Sequence, residues 1–386
     1  MHWPGVAVEH QQDFTPPFCP RRRCSEHRCV DPSSYRFAPY GSYSTLKQSN
    51  IPRFRCLTCR KTFSRQSFAT SYYLKRAELL VPIAAGLVAG SAHRQIARTL
   101  RCAPSTVTRQ SARLGRHGLL LLARSLTQLA GRLNEPVVID HFETFEFTQD
   151  YPLGIATAVG SESWFVYAID PAPHRRAGRL SDEQKRRLKK RPERQLKGGY
   201  RKSAQRLFDV LCRLPGSAAG LELIGDGHQA YAQAAQRPAP PVIRLRSFPN
   251  PKRGPKGSPR SLSARLRDRA MFPVDVLHAL VRHSVAHHRR ETIAFGRRLN
   301  ALMERFFLTA AWRNFVKGRS ERKPDPQTPA MRLKLTDRPW LWGRVVCQRL
   351  FPDRESTPAP WDELYRRLWK TPLLGTNARH ELKLAF

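Results

Sequence analysis

Short apolar runs bounded by Gly, Pro or charged residues punctuate the middle of the chain. Pro136-Val137-Val138-Ile139 is followed by Ile155-Ala156-Thr157-Ala158-Val159 and by Trp164-Phe165-Val166-Tyr167-Ala168-Ile169. Runs of this length and β-branched content predict strands. The last two are joined through Gly160-Ser161-Glu162-Ser163. Leu221-Glu222-Leu223-Ile224-Gly225 and Pro241-Val242-Ile243-Arg244-Leu245 predict two more, separated by a short helix around Tyr231. A helix ending at Leu211 precedes them. Residues 72–133 carry helical periodicity, and helices resume from Pro273 to Phe315. Residues 1–66 are polar, cysteine-rich and turn-rich, while the chain beyond Lys317 is polar again with scattered Trp. This organisation predicts a multidomain α/β protein with a cysteine module at 1–66, a helical domain at 67–134, a mixed-sheet domain at 135–318 and an α-rich extension at 319–386, whose role the pattern does not give.

Two of the strands end in an acid. Asp140 closes the first and Asp226 closes Leu221–Gly225. A carboxylate at the end of a core strand is costly to bury without a compensating charge. Turn formation at Asp140-His141 and Asp226-Gly227 is the plainer explanation. Paired acids in a basic chain point instead to a metal site acting on a polyanion.

Charge sharpens that choice. Sixty-eight Lys and Arg against 30 Asp and Glu give the 386 residues a formal +38. Such a field recruits phosphates and releases their counterions. Anionic membrane is the weaker partner, because the longest apolar stretches, 79–89 and 118–123, are too short to span a bilayer. The first residues lack a secretory pattern, so a cytoplasmic protein is expected. Basic residues crowd 175–206, and a basic Pro/Gly-rich loop covers 249–260. These segments either hold DNA nonspecifically or are solvated loops.

Five of the eight cysteines precede residue 60. Cys19 and Cys24 form one short-spaced pair, and Cys56 and Cys59 a second, with a hairpin-like stretch between them. Two such pairs on opposing knuckles can hold structural Zn²⁺, which replaces the core so small a module lacks. The first spacing is wider than usual for a knuckle, and His27 and Cys29 compete as ligands.

Residues 92–100 place Ile96 and Leu100 on one helix face. A break at Arg101-Cys102-Ala103-Pro104 leads to Ser105, an expected N-cap for a second helix over 106–114. Val107 and Leu114 then face inward. Thr106, Thr108, Arg109, Gln110 and Arg113 face outward, suited to base edges and phosphates of double-stranded DNA. A helical hairpin with a solvated polar face fits the same pattern.

A third acid completes the acidic constellation. Asp275 follows Pro273, which suits the first position of a helix. Asp in a first helical turn is also favoured by the dipole alone. His278 and Arg282 share its face. Glu291 is the rival, while Glu143 and Glu146 read as surface or supporting residues. The order of strands and acids matches an RNase H-like sheet. In that arrangement Asp140, Asp226 and Asp275 would hold two Mg²⁺ (or Mn²⁺) ions about 3.5–4 Å apart.

Several segments together resemble a bacterial insertion-sequence transposase of the DDE class with an amino-terminal zinc ribbon. They are Cys56-Leu57-Thr58-Cys59-Arg60-Lys61-Thr62-Phe63, Ile139-Asp140-His141-Phe142, Gly225-Asp226-Gly227-His228-Gln229-Ala230-Tyr231, and Leu280-Val281-Arg282-His283 leading to 289–295. The likeness spans roughly 19–316, and its motifs are short, so their order carries it. It implies an enzyme that binds terminal inverted repeats, cleaves the strand and joins the freed 3′-hydroxyl to target DNA. It further implies a homo-oligomeric synaptic complex associated with the bacterial nucleoid. Asp275 falls where that family usually has Glu. A transposase-derived DNA-binding regulator without cleavage activity and an RNase H-like nuclease are the alternatives.

Overall fold

The computed structural model describes residues 14–371 and 374, apart from 46–47, 177, 191–198, 217–219, 237–241, 253, 256, 290–291 and 322–324. Among the described residues, two sheets and eleven α-helices build a mixed α/β protein. The first sheet is antiparallel, in the order β1 (Phe37–Tyr43), β2 (Ile51–Cys56), β3 (Thr62–Ser64). Three helices follow: α1 (Leu80–Val88), α2 (His93–Thr99) and α3 (Pro104–Leu129).

The second sheet contains β4 (Val137–Phe145), β5 (Pro152–Gly160) and β6 (Val166–Pro173) as an antiparallel meander. After α4 (Asp182–Lys189) and α5 (Tyr200–Leu211), β7 (Leu221–Gly225) pairs parallel to β4. Helix α6 (Gln229–Ala235) then returns the chain to β8 (Ile243–Ser247), parallel to β7. The spatial order is β6-β5-β4-β7-β8. Helices α7 (Leu262–Ser284) and α8 (Leu299–Phe315) follow, then three one-turn helices, α9 (Pro329–Arg332), α10 (Trp342–Val345) and α11 (Trp361–Tyr365).

Alternation along β4 sends neighbouring side chains to opposite faces. Phe142 meets Phe306 of α8 and His278 of α7, whereas His141 meets Tyr200 of α5 and Tyr231 of α6. The sheet is therefore sandwiched between α7 and α8 on one side and α5 and α6 on the other.

Helix α3 is longer than its pattern suggests and serves two cores. Val107 and Leu114 pack with α1 and α2, while Leu119, Leu122 and Leu126 belong to the core around the large sheet. Its N-cap is Ala103 with Pro104 in the first turn, so Ser105 lies inside the helix. Pro104 brings a pre-set φ and no N–H to satisfy, and it holds Ala103 extended. The expected start of a helix at Pro273 also shifts. Ser261 caps α7 by accepting from Ala264 N at 3.2 Å, and Pro273 lies mid-helix, buried. The proline costs a backbone hydrogen bond there. Met271, Val274, Leu277 and Val281, all buried on the sheet side, offset that cost.

The carboxy-terminal segment straps the parts together. Trp361 donates from Nε1 to Ile169 O at 2.8 Å and packs on Phe307. Val345 O accepts from His117 at 2.6 Å. Phe351 enters the cysteine module's aromatic cluster, and Arg354 stacks over Phe18 with its guanidinium carbon 3.8 Å from the ring centroid. Among the described residues no helix is long and apolar enough to cross a membrane.

Candidate functional site

The cysteine module brings together the four predicted ligands. Cys19 Sγ lies 3.8 Å from Cys59 Sγ, Cys24 Sγ lies 3.8 Å from Cys56 Sγ, and all four sulfurs fall within 4.8 Å of one another. A tetrahedron with Zn–S bonds near 2.3 Å has edges of about 3.8 Å. The quartet therefore fits zinc, and the spacing is far too long for disulfides. Burial raises the Cys56 thiol, but the backbone N–H of Cys59, the neighbouring Tyr35 hydroxyl and the backbone N–H of Thr58 outweigh it and bring it down to about 7. Backbone N–H groups aimed at a thiolate are what a metal knuckle requires. His27 and Cys29 take no part: His27 Nδ1 donates to Cys19 O at 2.8 Å, and the Cys29 thiol points to Asp31 O.

On α3 the predicted outward set divides. Thr108 and Arg109 are exposed and Thr106 is partly so. Gln110 and Arg113 are buried, each 6% exposed, which corrects the expectation that they face DNA. Arg113 Nη1 donates to Thr70 O at 2.6 Å and Tyr72 O at 2.9 Å, pinning the chain that leads from the cysteine module. Thr108 Oγ1 is 3.0 Å from His93 Nδ1 of α2.

Asp140 lies inside β4, opposite Thr157 of β5, and does not close the strand as expected, because the ladder with β5 continues to Phe145; Asp226 directly follows β7. Val138 pairs with Ile224 across the parallel β4–β7 ladder, and each acid stands two residues further on. Both therefore leave the sheet on one face at one level. Burial pushes the Asp140 carboxyl up to about 7. The charges of Asp226 and Asp275 add to the rise, while the His141 N–H and Arg267 oppose it. Asp226 is half-buried and accepts from His228 N at 3.0 Å.

Helix α7 contributes Asp275 and His278 to the same region. His278 Nε2 is 2.8 Å from Thr157 Oγ1, which donates to Asp140 O, and Nδ1 is 3.5 Å from Asp140 Oδ2. Burial and Arg282 hold this imidazole neutral, with its pKa down to about 3, so the contact is not an ion pair. Asp275 faces Asp140 but is held by Arg267, and it lies mid-helix in α7 (Leu262–Ser284) rather than in the first turn that was expected. Among the described residues, the cysteine quartet is the one group of three or more potential metal ligands drawn within 4.8 Å. The three aspartates are neighbours and are not that tightly convergent.

The remaining acids resolve differently. Glu291 lies outside the described residues. Glu143 accepts from the Tyr200 hydroxyl and lies 3.6 Å from His174 Nε2. Glu146, expected either at the surface or as a supporting residue, is only 1% exposed, because the turn that pairs Glu146 N with Tyr151 O folds it inward. Arg282 is committed to His288 O, Glu143 O and the face of Phe142 rather than to open space.

Thr157, Arg267 and the His141–Tyr231 pair, 2.7 Å between Nδ1 and the hydroxyl, escaped the pattern-based reading. Their signal is tertiary: Thr157 sits opposite Asp140 on β5, a register that no local motif encodes. No protein-family model matches this chain, and a search of curated proteins likewise finds no match.

Proposed function

We propose that the chain is a DNA transposase of the DDE class, in which a zinc ribbon and helix-turn-helix bind element ends and an RNase H-like sheet carries strand cleavage and transfer. The observation that supports this most is the strand order β6-β5-β4-β7-β8 with Asp140 and Asp226 level on its adjacent parallel strands. An Asp140 carboxyl pushed toward its neutral form by burial and by the charges of Asp226 and Asp275 is a ligand that a hard divalent cation compensates. Mg²⁺ or Mn²⁺, when bound, supplies charge neutralisation at the scissile phosphate and activation of the attacking oxygen.

The protein's own groups have narrower tasks. Asp140 and Asp226 provide the cation's oxygen ligands, and Thr157 and His278 fix the distance between β4 and α7. Asp275 is the third ligand once Arg267 releases it. The net positive charge holds double-stranded DNA along the surface, with the homo-oligomer pairing two ends.

The test is strand transfer on a linear duplex carrying the element termini, with Mg²⁺ or Mn²⁺. Wild-type protein should join ends. Asp140→Asn and Asp226→Asn should bind the duplex equally well and join none. The Arg267–Asp275 pair favours a second reading, a DNA-binding regulator without cleavage. Duplex binding with no joining by wild-type protein selects it.

A further inference from the structure

The turn between α2 and α3 borders an open, shallow concavity of about 490 Å³ lined by Arg94, Ala97, Arg98, Arg101, Cys102, Ala103 and Pro104. Three of the lining residues are arginines, all exposed, and no carboxylate lines the space. Among the described residues none of the three guanidinium groups has a hydrogen-bond or ion-pair partner. Glu78 is paired with Arg76, whose Nη1 donates to Arg101 O at 3.3 Å.

The backbone adds an independent observation. Arg101 has φ +47°, and Cys102 N donates back to Ala97 O at 3.0 Å, closing the end of α2. Glycine or asparagine is the usual residue at such a left-handed cap, because a Cβ there is strained. The chain instead places a long cation on this strained backbone, aimed at the concavity. The outward face of α3 is meanwhile reduced to Thr106, Thr108 and Arg109.

We infer that this concavity seats a backbone phosphate of duplex DNA, clamped by Arg94, Arg98 and Arg101. Helix α2 and its turn, more than α3, then anchor the helical domain on nucleic acid. The inference rests on the DNA-binding part of the proposed function and not on its chemistry. Guanidinium groups suit this role because their planar forks match phosphate oxygens. Phosphate contacts position a protein without reading sequence, so a duplex of arbitrary sequence suffices as probe.

Cys102 lies in the concavity and serves as a built-in reporter, while exposed Cys347 is the internal reference. The full-length, zinc-loaded Asp140→Asn protein is alkylated with N-ethylmaleimide, with and without a saturating mixed-sequence duplex. Peptide mass spectrometry reads both thiols. Alkylation of Cys102 should slow at least about fivefold while Cys347 is unchanged. The triple variant Arg94→Gln, Arg98→Gln, Arg101→Gln should lower the slope of log affinity against log salt by about 1, near 0.9 for the one lost phosphate contact. Arg101→Gly should raise Tm yet weaken duplex binding, which a purely structural arginine would not do. Unchanged Cys102 reactivity at saturation, or a triple variant with the full salt slope, overturns the inference even if strand transfer is observed. Protection of Cys102 without strand transfer by wild-type protein leaves it standing and removes the transposase reading instead.

Discussion

The Arg267 guanidinium reaches along α7 to the Asp275 carboxylate two turns away, Nη1 on Oδ2 and Nη2 3.4 Å from Oδ1. A carboxylate shared with a fixed guanidinium competes poorly for a cation. Arg267→Gln removes that competitor without touching Asp140 or Asp226. Mn²⁺ should then bind about tenfold more tightly by calorimetry, a gain of about 1.4 kcal/mol. Adding Asp275→Asn should cancel the gain. Equal affinity in Arg267→Gln and wild type would remove Asp275 from the ligand set.

A zinc ion on the cysteine quartet would hold more than the cysteine module. The quartet anchors an aromatic cluster that includes Phe18, Phe54, Phe63 and Phe68, into which the strap inserts Phe351. Arg354 donates to His27 O and, at 3.0 Å, to Cys29 O, so carbonyls beside the cysteines hold the strap down. Small modules of this kind lose their fold without metal. Chelation, or Cys56→Ser, should open the strap to trypsin at Arg349 and Arg354 before any cleavage within α8. Cys29→Ser should keep its metal and its resistance. Early cleavage in the zinc-loaded protein would separate the strap from the ribbon.

What could be read from the sequence was local, and what could not was tertiary. Apolar runs closed by Gly or Pro located β5 through β8 to within a few residues, because strand burial is written in consecutive side chains; the start of β4 was found but not its end, since Asp140 and the residues to Phe145 continue the strand on pairing that no local pattern shows. The cysteine pairs were equally legible, since knuckle spacing is a property of short segments. Arg113 misled for the opposite reason. On α3 it looks like a solvent-facing cation, yet its partners are carbonyls more than forty residues earlier. Pro273 misled because a proline favours a helix start, and only the packing of α7 on the sheet shows why it is tolerated mid-helix. The strap was unreadable: Trp361 and Phe351 acquire meaning only from Phe307 and Phe18, in other parts of the fold.

Helices α3 and α8 approach closely because glycines permit it. A Cβ on Gly115 would stand 2.3 Å from Glu304 O, and one on Gly118 would stand 2.8 Å from Phe307 O. Neither obstacle is a side-chain tip that can swing aside. Alanine improves intrinsic helix propensity by about 1 kcal/mol. Forcing two backbones apart in a packed core costs about 1–3 kcal/mol and sometimes more. Gly115→Ala should therefore be net destabilising in urea unfolding, and Gly115→Val more so. A neutral or stabilising alanine would mean that the helices stand further apart.

His117 gives the fold a defined acid limit. It is buried on α3, donates from Nε2 to Val345 O, and leaves Nδ1 without a hydrogen-bond partner. Burial, with a smaller push from the neighbouring Arg124 charge and against the opposing Val345 carbonyl, lowers its pKa to about 4. In the unfolded chain the same imidazole takes a proton near its ordinary 6.5. Between these values the unfolded state binds more protons, so this residue's contribution is complete above pH 6.5 and is lost as pH falls to about 4. The loss is about 3 kcal/mol, at about 1.4 kcal/mol per pH unit. His117→Gln keeps a donor for Val345 but has nothing to titrate. His93, His278, His287 and His288, also depressed by burial, remain in both proteins, so the difference between the two unfolding curves isolates His117. Urea midpoints at pH 7 and pH 4.5 should diverge less in the variant than in wild type. Parallel decline of both would show that water reaches this imidazole and solvates its charged form.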